Sequence, residues 1–435
     1  MKTARNSSSA KNAEKRKTEY FKGEKNLSIT NYLTFAGGVV FFLYGIKLMG
    51  EGLELAAGSR LKHLLEKMTK NRFLAVLVGF LITTLIQSSS ATTVMVVGFV
   101  NTGLMNLTQA IGVIMGANIG TTTTSVLVSL NLTGIAPIAI FIGAFMILFA
   151  KKNSLKYVGQ ALAGFGMLFM GMELMQNAMD PLKDSEVFRN WIINADNPLV
   201  GILIGAGVTG VIQSSAASVG ILQALASQGL VPLSFAVYII FGQNIGTCVT
   251  ALLSTIGTKT NSKRTAVMHI LFNVIGTVVF VVISMLLPFT KWIQAMSDNV
   301  MMQISLVHII FNVVSTIIMF PFAGVLVKLS CILVPDKKGK EDDGMHLQFI
   351  DERMLNTPPL AVVQVGKEVL RMAALARRNF DIASSDLINK EIKHFDEVNH
   401  TEKIINYLNH NITPVLVKIN SLDLSYKDAK YIGRL

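Results

Sequence analysis

Gln87-Ser88-Ser89-Ser90-Ala91-Thr92-Thr93 returns further along this chain as Gln213-Ser214-Ser215-Ala216-Ala217-Ser218. Gly116-Ala117-Asn118-Ile119-Gly120-Thr121 returns as Gly242-Gln243-Asn244-Ile245-Gly246-Thr247, and both second copies lie 126 residues after the first. The flanks keep register without a gap: Gly45, Leu48 and Met49 match Gly171, Leu174 and Met175, and Gly79 and Thr83 match Gly205 and Thr209. A duplicated unit whose shared letters form hydrogen bonds, inside apolar sequence, points to a paired polar site within a bilayer.

The surroundings are membrane sequence. Charged residues make up 15% of the chain, against about 25% in soluble domains. Apolar runs near 33–55, 73–100, 104–130, 133–150, 157–178, 199–229, 231–256, 265–288 and 301–334 approach the length a helix needs to cross hydrocarbon. The expected class is an all-α polytopic membrane protein, with lipid as its first partner. The net charge of +12 sits in tails and short loops, where it orients helices, and no basic stripe with interleaved aromatics suggests nucleic acid. Two separated cysteines, Cys248 and Cys331, support neither a disulfide framework nor a metal cluster. No strained nucleophile motif or P-loop is present, so an enzyme is not expected.

Five parts follow from composition: a basic tail at 1–30, a first membrane repeat at 31–150, a second repeat with a final helix at 157–334, a charged linker at 335–350, and a helical region at 351–435. The last has two amphipathic stretches, 360–389 and 391–420, with Val362, Val365, Val369 and Met372 on one and Ile404, Ile405, Leu408, Ile412 and Leu416 on the other. A third helix could begin just before Leu435, and a chain cut within a larger helical domain would account for that.

Loop charge sets orientation. Residues 56–72 carry Arg60, Lys62, Lys67, Lys70 and Arg72 against Glu66, whereas the equivalent 179–198 carries Asp180, Asp184, Glu186 and Asp196 against Lys183 and Arg189. The first is expected in the cytoplasm and the second outside, which makes the copies inverted repeats. Inversion needs an odd number of crossings between the two loops. Segments 73–100 and 199–229 are therefore expected to be re-entrant hairpins, each entering and leaving on one side. The same count puts the N-terminus outside, against the basic character of residues 1–25.

A hairpin bend at Gln87–Ser90 presents first-turn N–H groups, a positive helix end, three hydroxyls and an amide. Such a set suits a tetrahedral oxyanion, and its oxygens equally suit a small hard cation. No Arg, Lys, Asp, Glu or His lies close to either bend. A multiply charged anion there lacks a fixed counter-charge, and co-bound cations are the natural source of one. Gly112, Gly116 and Gly120 are also spaced to let two helices approach. Asn118 and Asn244 are expected at helix breaks, with Thr121 and Thr247 beyond them. His269 and Asn273 recur in form as His308 and Asn312; interhelical hydrogen bonding is their expected role, with a part in transport as the second reading. Lys47 and Glu173 are repeat equivalents that either pair or reach to the interface.

The doubled Gln-Ser-Ser run with its Asn-Ile-Gly-Thr partner resembles the type II sodium/phosphate cotransporter family, in its bacterial branch, over about 35–330. The resemblance implies a phosphate cradle of Gln87, Ser88, Ser89, Ser90, Gln213, Ser214 and Ser215. It implies sodium as the coupling ion, with Thr92, Asn118, Thr121, Thr122, Ser218, Asn244 and Thr247 as candidate ligands. Ala216 in place of Ser90, and Cys248 in place of Thr122, make the halves unequal. The C-terminal helices resemble the start of a PhoU-type domain, through Phe395-Asp396-Glu397-Val398-Asn399-His400-Thr401-Glu402. The implied function is sodium-coupled symport of inorganic phosphate across the cytoplasmic membrane, with the C-terminal helices cytoplasmic. The alternatives are phosphate export, transport of another oxyanion, or a membrane-anchored phosphate sensor. A homodimer is left open.

Overall fold

A computed structural model describes residues 28–57, 71–184, 197–336, 344–350, 358–422, 424 and 426–435. The charged loops at 58–70 and 185–196, most of the basic tail and 337–343 of the linker lie outside the described residues.

The chain is all-α among the described residues, with six helices long and apolar enough to cross a membrane: Ile29–Ala57, Leu107–Ser129, Asn153–Leu182, Leu233–Ser254, Thr260–Leu286 and Val300–Met319. In order, the elements are α1 (Ile29–Ala57), α2 (Arg72–Ile86), α3 (Ser89–Asn101), α4 (Leu107–Ser129), α5 (Ala136–Phe149), α6 (Asn153–Met179), α7 (Pro198–Ile212), α8 (Ser215–Ser227), α9 (Leu233–Gly246), α10 (Cys248–Ser254), α11 (Thr260–Leu286), α12 (Phe289–Met296), α13 (Val300–Met319), α14 (Ala323–Leu333), α15 (Pro358–Asn389), α16 (Phe395–Asn420) and α17 (Tyr426–Ile432). The protein is a multi-pass membrane protein.

The apolar runs 73–100 and 199–229 are each two short helices, of 15 and 13 residues in both cases. At 1.5 Å per residue the longer arm is about 22 Å, short of the roughly 30 Å hydrocarbon core. Both begin alike: Asn71 Oδ1 accepts from Phe73 N at 2.9 Å, and Asn197 Oδ1 from Leu199 N at 2.9 Å. The run 301–334 is likewise two helices, α13 and α14, because Pro321 removes a backbone donor between them.

The chain divides into two compact units. One comprises Met1–Leu53, Thr122–Thr247 and Ile275–Phe311 and holds Gln213; the other comprises Glu54–Thr121, Cys248–Val274 and Asn312–Leu435 and holds Gln87. In the Gln213 unit α1 crosses α6 at Gly45 and Gly171, where an added Cβ would strike the other helix's backbone. Phe42, Met49, Phe169, Met172 and Met175 fill the space around the crossing. Phe241, Phe280 and Phe311 form a second cluster, with ring centroids 5.1–5.7 Å apart. Between helices in lipid this close packing is the main attraction, and each aromatic pair adds about 0.5–1.5 kcal/mol. Lys47 lies 3.8 Å from Glu51, one turn along its own helix.

In the Gln87 unit, α2 and α4 touch backbone to backbone. A methyl group on Gly79 would collide with the Val113 carbonyl, and one on Gly116 with the Val76 carbonyl. At the C-terminal end of this unit α15 and α16 cover each other's apolar faces with Val362, Val365, Leu408 and Ile412. Burying each is worth about 1.5–3 kcal/mol. The stretch 344–350 lies on α15, where the buried Glu368 accepts from Phe349 N and from Arg371 Nε, and Arg371 Nη2 donates to His346 O. Hydrogen bonds from the His394 ring and backbone hold the Asp386 carboxyl below its usual range.

Candidate functional site

Gln87 and Gln213 take the same uncommon conformation. Both are left-handed helix caps, at φ 58° and ψ 25° for Gln87 and φ 58° and ψ 23° for Gln213. A residue with a Cβ enters this region at a cost of about 1–2 kcal/mol. Each backbone N–H donates back to the threonine four residues earlier, Thr83 O and Thr209 O, at 2.7 Å. The Gln87 side chain also bends back, with Nε2 donating to Thr84 O at 2.6 Å.

The chain then turns at once into the second arm. Ser88 (φ −146°, ψ 105°) and Ser214 (φ −141°, ψ 108°) are extended N-caps, and their Oγ atoms accept from Ala91 N at 3.1 Å and Ala217 N at 3.3 Å. The resemblance counts Ser88 and Ser214 among substrate ligands; here their hydroxyl oxygens hold the helix start. Ser89 and Ser215 are the first helical residues, both buried, at the positive end of helices without a charged residue. Ser90 is half-buried on the following position, where Ala216 stands in the other copy.

Thr92 and Ser218 tie the arms together. Thr83 Oγ1 donates to Thr92 Oγ1 at 2.9 Å, and Thr92 Oγ1 donates onward to Ser88 O at 3.0 Å. Thr209 Oγ1 donates to Ser218 Oγ at 2.8 Å. Ser218 receives a second donor, Gln243 Nε2 at 3.2 Å, from α9. The position equivalent to Gln243 is Ala117.

The two asparagines part company. Helix α4 runs unbroken through Asn118 and Thr121, which corrects the expected break there. Gly116 and Gly120 press α4 against α2 along this stretch, and the Asn118 side chain bonds across to α11 instead of to its own backbone. In the second copy the break is present at Thr247, between α9 and α10. There Asn244 Nδ2 donates to Ile240 O at 2.8 Å and Thr247 Oγ1 to Gln243 O at 2.9 Å. Side chains competing for helix carbonyls bend a helix in this way. Thr121 and Thr122 are buried on α4, and the division between the two units falls between them.

Residues outside the predicted set complete each half. His269 Nε2 lies 3.3 Å from Asn118 Oδ1. Asn273 Nδ2 donates to Cys248 Sγ at 3.2 Å and to His269 O at 3.1 Å. Asn118 Nδ2, His269 Nδ1 and Asn273 Oδ1 are buried without a hydrogen-bond partner among the described residues. Each such atom costs about 1–3 kcal/mol when left dry. In the Gln213 unit, the fully buried Gln223 joins α8 to Ser125 O (3.0 Å), Met301 O (2.9 Å) and Ser305 Oγ (2.9 Å). Near the far end of α8, a cavity of about 300 Å³ is lined by Asn131, Gln176, Ser227, Gln228 and Asn299, polar and uncharged like the bend. The 126-residue match already pairs Thr83 with Thr209. No local pattern ties His269 to a residue 151 positions earlier.

The Na+/Pi-cotransporter family model matches residues 41–177 and 183–326. YqeW of Bacillus subtilis is 29% identical over 310 residues, covering 70% of this chain and 99% of YqeW. YjbB of Salmonella typhimurium, named for inorganic phosphate export, is 27% identical over 345 residues, which are 78% of this chain and 62% of YjbB. The human sodium-dependent phosphate transport protein 2B is 32% identical over 108 residues, 24% of this chain and 16% of that protein. No solved structure matches the chain.

Proposed function

The chain belongs to the Na+/Pi-cotransporter family, and from that premise we propose that it moves inorganic phosphate across the cytoplasmic membrane, with net export as its direction. The observation that carries the reading is the twin left-handed Gln-Ser-Ser bend. It offers first-turn N–H groups, hydroxyls and an amide to an oxyanion. Export is favoured by the name of YjbB, which is similar over 78% of this chain. We place phosphate ligands at each bend taken by itself: Gln87, Ser89 and Ser90 in one unit, Gln213 and Ser215 in the other. Ser88 and Ser214 build the helix starts that meet it.

Sodium is the proposed coupling ion. The bends carry no charged side chain, and a helix end supplies only about half a charge, so a phosphate dianion needs cations beside it. The likeness to the human sodium-dependent transporter adds weight to coupling, and with it to sodium-driven uptake as the second reading. Asn118, Thr121, Thr122, Asn244 and Thr247 remain the proposed cation ligands; Thr92 and Ser218 are assigned to bracing the arms. The two-copy arrangement with re-entrant hairpins, the cytoplasmic side of the C-terminal helices and their PhoU-type character belong to the same proposal.

Purified protein in phosphate-loaded liposomes tests the reading, with labelled phosphate followed under sodium and then potassium gradients of either direction. Sodium-dependent phosphate movement is expected, and no movement under any gradient would remove the transport reading. Phosphate-loaded cells that lose phosphate faster when they express the protein would establish export. Accumulation from the medium would favour uptake. Removal of 345–435 should leave transport in place; loss of a cellular response without loss of flux would mark these helices as a sensor.

A further inference from the structure

In the Gln87 unit a continuous set of contacts leads from the bend to a histidine. Helix α3, which carries Ser89 and Thr92, packs against α10. Cys248 of α10 accepts from Asn273 of α11, and His269, one turn earlier on α11, meets Asn118 of α4. Gly116 and Gly120 face α2. Asn118, half a turn from either, therefore faces the opposite way. Its amide is buried, as is the ring of His269.

We propose that His269 is a positioning residue, fixing which atom of the Asn118 amide is offered to the transported ions. The assignment rests on the transport reading above. An amide can be turned over, and an imidazole can carry its proton on either nitrogen. With the proton on Nε2, His269 donates to Asn118 Oδ1, and the NH2 group is left to meet an anion oxygen or a water. With the proton on Nδ1, Nε2 accepts from the turned amide, and the amide oxygen is offered as a hard ligand to sodium. One ring thus selects between donor and acceptor at a single buried position. Asn118 Nδ2 and His269 Nδ1, both without partners among the described residues, are the two ends of this choice. Asn273 holds the ring's helix turn, through His269 O, against Cys248. Asn244 is arranged differently, with its Nδ2 bonded to a carbonyl of its own helix.

The test is a double-mutant cycle on purified protein in liposomes, using His269→Leu, Asn118→Ala, the two combined, and His269→Gln. Sodium and phosphate concentrations for half-maximal phosphate flux are measured, with the thermal midpoint of each variant. His269→Leu should raise the sodium requirement about tenfold, the scale of one lost hydrogen bond, with a much smaller change for phosphate. The double variant should be no worse than Asn118→Ala alone. His269→Gln, which keeps a donor and an acceptor, should recover most of the loss. Losses that multiply, an Asn118→Ala variant with unaltered flux, or losses that track a lowered midpoint would each overturn the inference. Absence of flux in the unaltered protein would overturn the transport reading instead. A phosphate flux indifferent to sodium would overturn the coupling, and the cycle would then be read on phosphate alone.

Discussion

The bends at Gln87 and Gln213 agree within a few degrees in backbone and differ in what holds them. Each has an asparagine-capped first arm, a left-handed glutamine, a serine cap and a hydroxyl bond between arms. Around Gln213, two buried glutamines reinforce the hairpin: Gln243 reaches Ser218, and Gln223 ties α8 to three groups on neighbouring segments. Around Gln87 the equivalent positions are Ala117 and Val97, and the buried polar contacts of this unit run instead among Asn118, His269, Asn273 and Cys248. Identical local geometry on unlike supports means that backbone shape is what the two copies share. The side-chain networks make them distinct.

The comparison can be broken most sharply at the glycines. Gly116→Val and Gly242→Val should each cost about 3 kcal/mol, since the collision is with backbone. Size-exclusion profiles of the expressed protein would show both lost; loss of one alone would end the equivalence of the copies. The supports should separate next. Ser218→Ala leaves Gln243 and Thr209 both without an acceptor and should cost about 2 kcal/mol, against about 1 kcal/mol for Thr92→Ala. Thermal midpoints measured side by side would reverse the comparison if Thr92→Ala proved the worse. At the substrate, Ser89→Ala and Ser215→Ala should each weaken phosphate binding about tenfold without moving the midpoint. Normal binding by both would remove the cradle assignment. The smallest effect is a gain: Gln213→Gly relieves left-handed strain and should add about 1 kcal/mol of stability, Gln87→Gly less because it also loses the bond to Thr84 O, and both should lower phosphate transport. Transport that survives either change would make that glutamine a turn residue only.

Much of this was legible because the repeated letters are polar. The run Gln-Ser-Ser, read twice, located both bends, and the count of crossings between the charged loops led to two arms in each of 73–100 and 199–229. The packing role of Gly116 and Gly120 also followed from spacing. The unbroken course of α4 through Asn118 did not, because its straightness comes from contact with α2 and from a bond to His269, neither of which is local. The pairing of Thr83 with Thr92 was hidden for the same reason: nine residues apart in sequence, they meet only once Gln87 turns left-handed. The loops on which the orientation reading depends, 58–70 and 185–196, fall outside the described residues.

The backbone contact between α2 and α4 has a mechanical consequence. Helices separated by long side chains can slide, since rotamers yield in small steps. Here Gly79 and Gly116 leave no compliant layer: carbonyl faces α-carbon at both crossings. A sideways or lengthwise shift of one helix would drive it into the other. The first arm and α4 therefore act as a single stiff lever, and any stroke that carries Gln87 carries Asn118 with it.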